Sequence, residues 1–439
     1  MAHDRKVQLA HKESSRQLQN NLYLTAKKDK KRVFHALYDR IYRLDILHEA
    51  WSKVRANKGA PGVDGKSISD IEAKGISEYL EKLSLELKEG KYHAQSVRRV
   101  YIPKADGRKR PLGIPTVKDR IVQQACKMIL EPIFEANFLE CSHGYRPRHS
   151  AQKAVLTVKQ ALVRGWWVVD GDIKGFFDNM NHDLLLRIMT KRIADRRVLK
   201  LIREWLEAPV SEKAVPSKSN EKGTPQGGVI SPLLSNIYLH VMDKYWEENC
   251  SQLGQFVRYA DDFVIICGDA AKANQAKKSI RHILRRLELE LHPEKTKVVH
   301  MVKGECFSFL GFKFQKWKNR KSGKLLPYNN PIKRKVQEMK SKLREHTRAG
   351  LARLPLNELV RRLNPVIRGY WQYFRHGNST RVFQHLDLYT FQRFRIHFYR
   401  RFSPKVKDRW LKFKTWFANC GIRKFYCARS LRLSLSQCC

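Results

Sequence analysis

The chain has 439 residues, with 87 Lys and Arg against 42 Asp and Glu, a formal net charge of +45 that implies a polyanionic partner, nucleic acid first among them. With 42% hydrophobic and 10% aromatic residues it has enough apolar material to build cores, which excludes a disordered polyelectrolyte. No apolar run reaches the roughly 18 residues of a membrane span, and the first residues lack the apolar core of a secretory signal, so no membrane partner is expected and the setting should be bacterial cytoplasm or an organelle rather than secretion.

Residues 1–33 form a polar tail, lysine-rich at its end, expected to be mobile or weakly helical until a partner binds. From Phe34 the positions Leu37, Ile41, Leu44, Leu47, Trp51 and Val54 follow at helical spacing and predict one long amphipathic helix. The string NKGAPGVDG, Asn57 to Gly65, ends it. Its glycines could let backbone approach phosphate closely, or it could be a plain connection. Ile76, Leu80, Leu83 and Leu87 predict a second helix, with Gly90 as its C-cap.

VRRVYIPKADGRKRPLGIP then reads as a hairpin. Val97 to Ile102 has strand character, Asp106-Gly107 suits the turn, and the second strand begins near Arg110. It projects Arg98, Arg99, Lys104, Arg108, Lys109 and Arg110, a charge run that fits a phosphate contact or a solvated face equally well. Trp166 to Val169 is a short buried strand ending at Asp170 and Asp172. A long amphipathic helix is predicted from Ala270 to Leu287. From Pro331 onward the pattern is helical and basic, with 26 Lys and Arg against 5 Asp and Glu. The nine cysteines include no C-x-x-C pair, which argues against a zinc ribbon or redox motif. The group Cys420, Cys427, Cys438 and Cys439 is unusual but is not read as a metal site.

The chemistry lies in FVRYADDFVII, where Asp261 and Asp262 sit inside an apolar run. Two desolvated carboxylates raise each other's pKa unless a cation lies between them, and Mg²⁺, which takes hard oxygen ligands, removes that cost. The alternative is an ordinary hairpin turn, where Asp is common. Asp172, at the end of the Trp166 strand, is the natural third carboxylate, and the three together could hold two Mg²⁺ ions in a nucleotidyl-transfer site. Asp178 and Asp183 read as structural, Asp183 as a local helix cap.

The ordered strings RPLGIPT, DIKGFFD, GTPQGGVISPLLSNIYL, YADD, HPEKTK and FLGF resemble the reverse transcriptases encoded by group II introns, over roughly residues 34–400. The resemblance implies an α+β right-hand polymerase whose fingers, palm with an antiparallel sheet, and helical thumb occupy 34–325 and 326–419. It makes Asp172, Asp261 and Asp262 the catalytic and metal-binding carboxylates, with the backbone carbonyl of Ile173 as a further ligand. It assigns Lys104 and Arg110 to the triphosphate, Phe177 to the nucleotide sugar, Gln226 to the incoming nucleotide and Lys295 to the leaving pyrophosphate. Gly227, Gly228, Tyr259, Ala260 and Gly311 fall to primer and template.

Residues 34–65 are similar to the N-terminal extension that contacts template and intron RNA in this family. LNPVIRGYWQYFRHG, Leu363 to Gly377, resembles the maturase domain, where Arg368, Tyr370, Trp371 and Arg375 would bind RNA by charge and stacking. Those rings could equally be the core of a helical bundle. The partners implied are group II intron RNA, an RNA template, a DNA primer or target DNA, and dNTPs. The Cys-pair and His pattern of an HNH endonuclease is missing from the sequence, so cleavage of the bottom DNA strand is not expected, and residues 420–439 do not match the family. A domesticated relative acting in repair or phage defence is the alternative. An RNA chaperone with a dead polymerase ranks last because all three carboxylates are present.

Overall fold

The structure is a computed structural model and describes residues 2–103, 107, 109–212, 215–218, 222–225, 227–319, 322–351, 353–401 and 408–426. Lys104, Asp106, Arg108, Gln226, Cys427, Cys438 and Cys439 lie outside the described residues.

The N-terminal expectation is corrected. Residues Ala2–Lys28 form a 27-residue helix, α1, in which Ser15, Leu22 and Ala26 are all buried. Gln19 Nε2 donates to the Met128 carbonyl at 3.0 Å, and the buried Arg192 guanidinium donates to the Ala26 carbonyl. Ser15, Leu22 and Ala26 share one helical face, but only one of them is a large apolar residue, so the buried stripe is nearly invisible in the hydrophobic pattern.

The stripe from Phe34 is buried as expected, apart from Leu44, but it is not one helix. Phe34 pairs with Ile193 in an isolated bridge, and the helical residues divide into α2 (Tyr38–Ile41) and α3 (Leu44–Ala56) with an extended Arg43 between them. The start of α2 is set by a residue distant in sequence. The Asp195 carboxylate accepts from the Leu37 and Tyr38 amides at 2.9 and 2.8 Å, which fixes a helix start there.

The NKGAPGVDG loop follows α3 and leads to α4 (Ile68–Ala73), whose Ser67 and Asp70 form a capping box. A Cβ on Gly62 would lie 2.6 Å from the Thr116 Cα, so this glycine is required by close approach of backbone to backbone. Arg120 donates to the Ala60 carbonyl and pins the same loop. Helix α5 (Ile76–Lys88) and the left-handed Gly90 after it agree with expectation.

Strands β1 (Val97–Pro103) and β2 (Lys109–Ile114) pair antiparallel, with Ile102 opposite Arg110, as the hairpin pattern predicts. The almost wholly buried helix α6 (Val117–Glu135) follows, its N-terminus capped by Thr116. Next come α7 (Ala151–Ala161), β3 (Trp167–Asp172), α8 (Phe176–Asn179), α9 (His182–Thr190) and α10 (Arg196–Glu207). The cap of α9 is Asn181, which accepts from the Leu184 amide. Asp183, expected in that role, instead pairs with Arg203 at 2.7 Å. Asn181 immediately precedes the helix, where a short side chain reaches the free amides, whereas Asp183 is already inside it.

Strands β4 (Val210–Glu212) and β5 (Val215–Lys218) extend the hairpin sheet in the order β2-β1-β4-β5. Helix α11 (Ser231–Asn249) leads into β6 (Gln255–Tyr259) and β7 (Asp262–Cys267), then α12 (Ala270–Arg286) and β8 (Lys297–His300). A second four-stranded sheet has the order β6-β7-β3-β8. The remaining strands β9 (Phe307–Phe309), β10 (Phe312–Lys318) and β11 (Leu325–Pro331) form an antiparallel sheet. Helices α13 (Lys333–His346), α14 (Leu356–Phe374), α15 (Thr380–Arg401) and α16 (Arg409–Asn419) complete an α+β chain.

Two compact units result. One spans Met1–Ser150, Gly171–Ile265 and Ala271–Lys297, and the other Ala151–Asp170, Ile266–Ala270 and Val298–Cys439. The core of the second is aromatic, with Phe391, Phe394, Phe398, Phe413 and Trp416 packed ring against ring. No helix among the described residues is long and apolar enough to cross a membrane.

If α1 is a packed element, Leu22→Ala should lower unfolding free energy by about 2–4 kcal/mol in urea titrations. A cost near zero would restore the mobile tail.

Candidate active site

The turn between β6 and β7 places Ala260 in the left-handed region, φ 58°, although it has a side chain and is buried. Such a conformation persists only where the surroundings hold it. Here Arg258 does so. Its side chain is fully buried, and Nη1 donates to the Ala260 carbonyl at 2.9 Å and to Asn236 Oδ1 at 3.2 Å. The rest of the guanidinium meets the buried Asp243 carboxylate at 2.7 and 2.5 Å and Ser142 Oγ at 2.8 Å. Asn236 in turn donates to the Gly144 carbonyl at 2.8 Å. A Cβ on Gly144 would lie 2.4 Å from the Ala260 nitrogen, so the turn is held from below and from the side.

Arg258 was not among the expected site residues. Its signal was in plain view: an arginine in the middle of an apolar strand must be buried with a partner or be a misread strand.

The structure places Asp172 close enough to Asp261 for their charges to interact. Burial raises the Asp261 pKa first, and the Asp172 charge raises it further, against the pull of Arg110 and Lys295. The expected antagonist was its neighbour Asp262, which is half-buried at the start of β7.

Asp172 is positioned by the HPEKTK segment. Its carbonyl accepts from the His292 amide at 2.8 Å, the buried Ile173 bridges to Leu291, and the Lys174 amide donates to the Glu290 carbonyl at 2.9 Å. The same pairing sets Lys295 Nζ 2.7 Å from Asp172 Oδ2. Lys295, expected near a pyrophosphate, therefore sits directly on a carboxylate in this structure.

Among the described residues no three His, Cys, Asp or Glu side chains are gathered tightly enough to enclose a metal ion. The donor set nevertheless fits a hard divalent cation, because Asp261 is held partly desolvated beside a second carboxylate, and both effects raise its pKa.

Phe177 packs edge-on against Phe176 and lines a cavity of about 160 Å³ together with Arg99, Gly113, Lys222 and Pro225. The Thr224 amide donates to the Phe177 carbonyl at 2.7 Å, which ties DIKGFFD to GTPQGG. Gly227, with φ 126°, lies where a Cβ would be 2.6 Å from the Gly113 carbonyl, and Gly228 would meet the Ser231 hydroxyl. The room these glycines leave is thus filled by the protein's own backbone and side chains. Tyr145, left-handed at φ 57°, brings its ring 6.2 Å from Tyr259 and was also not anticipated.

In the other unit, Leu310 and Gly311 both have positive φ and close the β9–β10 hairpin. Tyr373 donates to the Leu310 carbonyl at 2.9 Å, and the Ile332 amide to that of Gly311 at 3.0 Å. The maturase-like string ends α14. Tyr370 packs on Phe374 and Phe425 with its hydroxyl buried, a core role more than a surface one. Trp371 lies against two guanidinium groups, Arg375 at 4.9 Å and Arg423 at 5.0 Å. Arg368 and Arg375 are exposed.

A strand-turn-strand that carries Asp261 and Asp262, with β7 beside the strand β3 that ends at Asp172, suits a template-directed nucleic-acid polymerase in so basic an α+β chain. Residues 102–314 match the family model described as reverse transcriptase (RNA-dependent DNA polymerase), and residues 336–416 match the group II intron maturase-specific domain. The chain is 36% identical to the protein YkfC of Escherichia coli K12 over 343 residues, 69% of this chain and 89% of that one. It is 34% identical over 344 residues to the group II intron-encoded protein LtrA of Lactococcus lactis, 64% of this chain and 56% of LtrA. A 91 kDa protein in the cob intron of Schizosaccharomyces pombe is 27% identical over 410 residues, 76% of this chain and 50% of that protein, so the chain spans only about half the length of these last two relatives. The chain belongs to the group II intron-encoded reverse transcriptase and maturase family, and its enzymatic class is RNA-directed DNA polymerase.

Removing one partner of the buried pair should be costly, with Arg258→Ala losing about 3–5 kcal/mol of stability. Replacing both, as Arg258→Met with Asp243→Leu, should restore most of that stability in urea titrations. Ala260 would still lack its donor, and primer extension should remain about a hundredfold low. Full activity in the double variant would show that the turn holds itself.

Proposed function

We propose that this chain binds group II intron RNA, assists its splicing and copies it into DNA, with Asp172, Asp261 and Asp262 as the ligands of two Mg²⁺ ions. The observation that supports this most directly is that β7, which opens at Asp262, lies beside β3, which ends at Asp172, in one sheet. When bound there, the ions would supply Lewis-acid activation of the primer 3′-oxygen and neutralisation of the leaving pyrophosphate.

The rest of the chemistry belongs to side chains. The field of Arg110 reaches Asp261, which suits it to grip the triphosphate bidentately, and Lys104 would add a point charge to the same group. Lys295, paired with Asp172, would exchange that carboxylate for a phosphate oxygen and hold a proton there. Phe177 would exclude a ribose 2′-hydroxyl. Gln226 would pack on the incoming nucleotide and the Ile173 carbonyl would add a metal ligand. Gly227, Gly228, Tyr259, Ala260 and Gly311 would meet primer and template, the last through the β9–β10 turn.

In this reading β6, β7, β3 and β8 are the palm, the β1–β2 hairpin and N-terminal helices the fingers, and α13 to α16 the thumb and maturase domain. Arg368, Arg375 and Trp371 would contact intron RNA, while Tyr370 supports them from the core.

Primer extension on an RNA template with Mg²⁺ tests the polymerase. The wild-type chain should make cDNA, and Asp261→Ala with Asp262→Ala should make none while still supporting splicing of the cognate intron. No product from the wild type would refute the assignment. Phe177→Ala should relax dNTP over rNTP selection, and unchanged selectivity would return the ring to a packing role alone.

The raised Asp261 pKa carries a second consequence. Whatever stability the group contributes is complete below the ordinary carboxylate pKa and is lost as pH rises through the folded value, so its charge destabilises the metal-free fold at neutral pH. Asp261→Asn should therefore raise Tm at pH 7 in chelator and remove the increment in Tm that Mg²⁺ gives the wild type.

A further inference from the structure

Tyr145 has a backbone conformation that favours glycine. Its φ is 57°, in the left-handed region, where a bulky side chain is an outlier and costs stability. The residues on either side hold it there. A Cβ on Gly144 would lie 2.4 Å from the Ala260 nitrogen, so the backbone is pressed against the carboxylate turn, and the Gly144 carbonyl accepts from Asn236. Arg146 is buried and donates to both Glu135 carboxylate oxygens, at 2.7 and 3.0 Å, and to the Ser142 carbonyl at 2.6 Å. Between these two clamps the Tyr145 side chain stays 47% exposed. A packing role would bury the ring and a plain turn would use glycine, so neither accounts for this residue.

Its neighbourhood is the edge of the carboxylate sheet. The Arg258 amide donates to the Cys141 carbonyl at 2.7 Å and the His143 amide to the Arg258 carbonyl at 2.8 Å, so residues 141–143 run alongside β6 on the side away from β7. That path brings the Tyr145 ring 6.2 Å from the ring of Tyr259 at the end of β6. It also brings the phenol near enough to Asp261 for the carboxylate charge to act on it. In strand order the site therefore runs Tyr145, Tyr259, Asp262, Asp172, Lys295.

In-line displacement puts the attacking oxygen and the leaving pyrophosphate on opposite sides of the reacting phosphorus. Lys295, the cation at the Asp172 end, takes the pyrophosphate side in the reading above. The primer 3′-oxygen is then left to arrive from the β6 edge, where two tyrosine rings stand tilted at 46°. An uncharged, partly exposed ring suits the apolar face of a sugar and offers a phosphate only one hydroxyl.

We propose that Tyr145 is a positioning residue for the primer terminus, its ring bearing on the sugar of the last primer nucleotide so that the 3′-oxygen faces Asp261. The inference rests on the reading of the carboxylates as a polymerase site and adds to it the element that sets the angle of attack.

The test is single-nucleotide addition by the full chain on an RNA template with Mg²⁺, followed by rapid quench. Tyr145→Gly removes the ring and suits the left-handed backbone. It should lower the maximal rate roughly tenfold or more, with the dNTP concentration at half-maximal rate changed by less than about twofold. Tyr145→Phe keeps the ring and should recover most of that rate. A primer ending in an acyclic nucleotide, which carries the equivalent hydroxyl on an open sugar, should be extended slowly by the wild type and scarcely more slowly by Tyr145→Gly, because the surface the ring bears on is already gone. An equal further loss on that primer, a loss of dNTP affinity in place of rate, or no recovery in Tyr145→Phe would overturn the assignment. So would a wild-type rate in Tyr145→Gly. No addition to the ordinary primer by the wild-type chain would instead count against the polymerase reading, so the two failures are distinguishable.

Discussion

One buried guanidinium supports the turn on which the site depends. Arg258 is shielded from water, balanced by Asp243 and shared among Ala260, Asn236 and Ser142, so its loss would free a strained turn and strand a buried carboxylate. A buried ion pair is weak evidence of added stability, since a well-packed apolar pair often does as well. What Arg258 contributes is geometry: it donates to the carbonyl immediately before Asp261. The residues it recruits come from the 141–144 segment and from α11, so three separate stretches of chain converge on one peptide bond.

The carboxylates show the opposite economy. Asp261 is kept partly buried beside Asp172, where its charge is disfavoured, and Lys295 covers Asp172 at 2.7 Å. A site built for stability would not gather negative charge in this way. Strain of this kind is common where a cation and a polyphosphate are to be received. A protein cation lies on one carboxylate and burial disfavours the charge of the other, which suits a site that exchanges internal charges for external ones.

Much of this was legible in the sequence. The β1–β2 hairpin, the strand that ends at Asp172, α5 and α12 follow from alternation, helical spacing and turn chemistry, which are local. What escaped was set by distant partners. Helix α1 buries Ser15, Leu22 and Ala26, too sparse a stripe to stand out. The start of α2 at Tyr38 is set by Asp195. Gly62 and Gly227, which suggest room for nucleic acid, serve the close packing of one motif on another. The Asp-Asp pair drew attention to a cation, while Arg258, three residues before Asp261 in the same run and paired with Asp243, holds the turn rather than the carboxylates. The maturase-like string divides between both of its readings, with Tyr370 in the aromatic core and Trp371 against exposed arginine.

The central claim is that Asp172, Asp261 and Asp262 act as a single ligand set. Electron paramagnetic resonance of bound Mn²⁺, recorded with primer–template and a non-hydrolysable dNTP, tests it most directly. Two tightly bound ions per wild-type chain are predicted, with both affinity and number reduced in Asp261→Asn and in Asp172→Asn. Identical Mn²⁺ binding in wild type and both variants would contradict it.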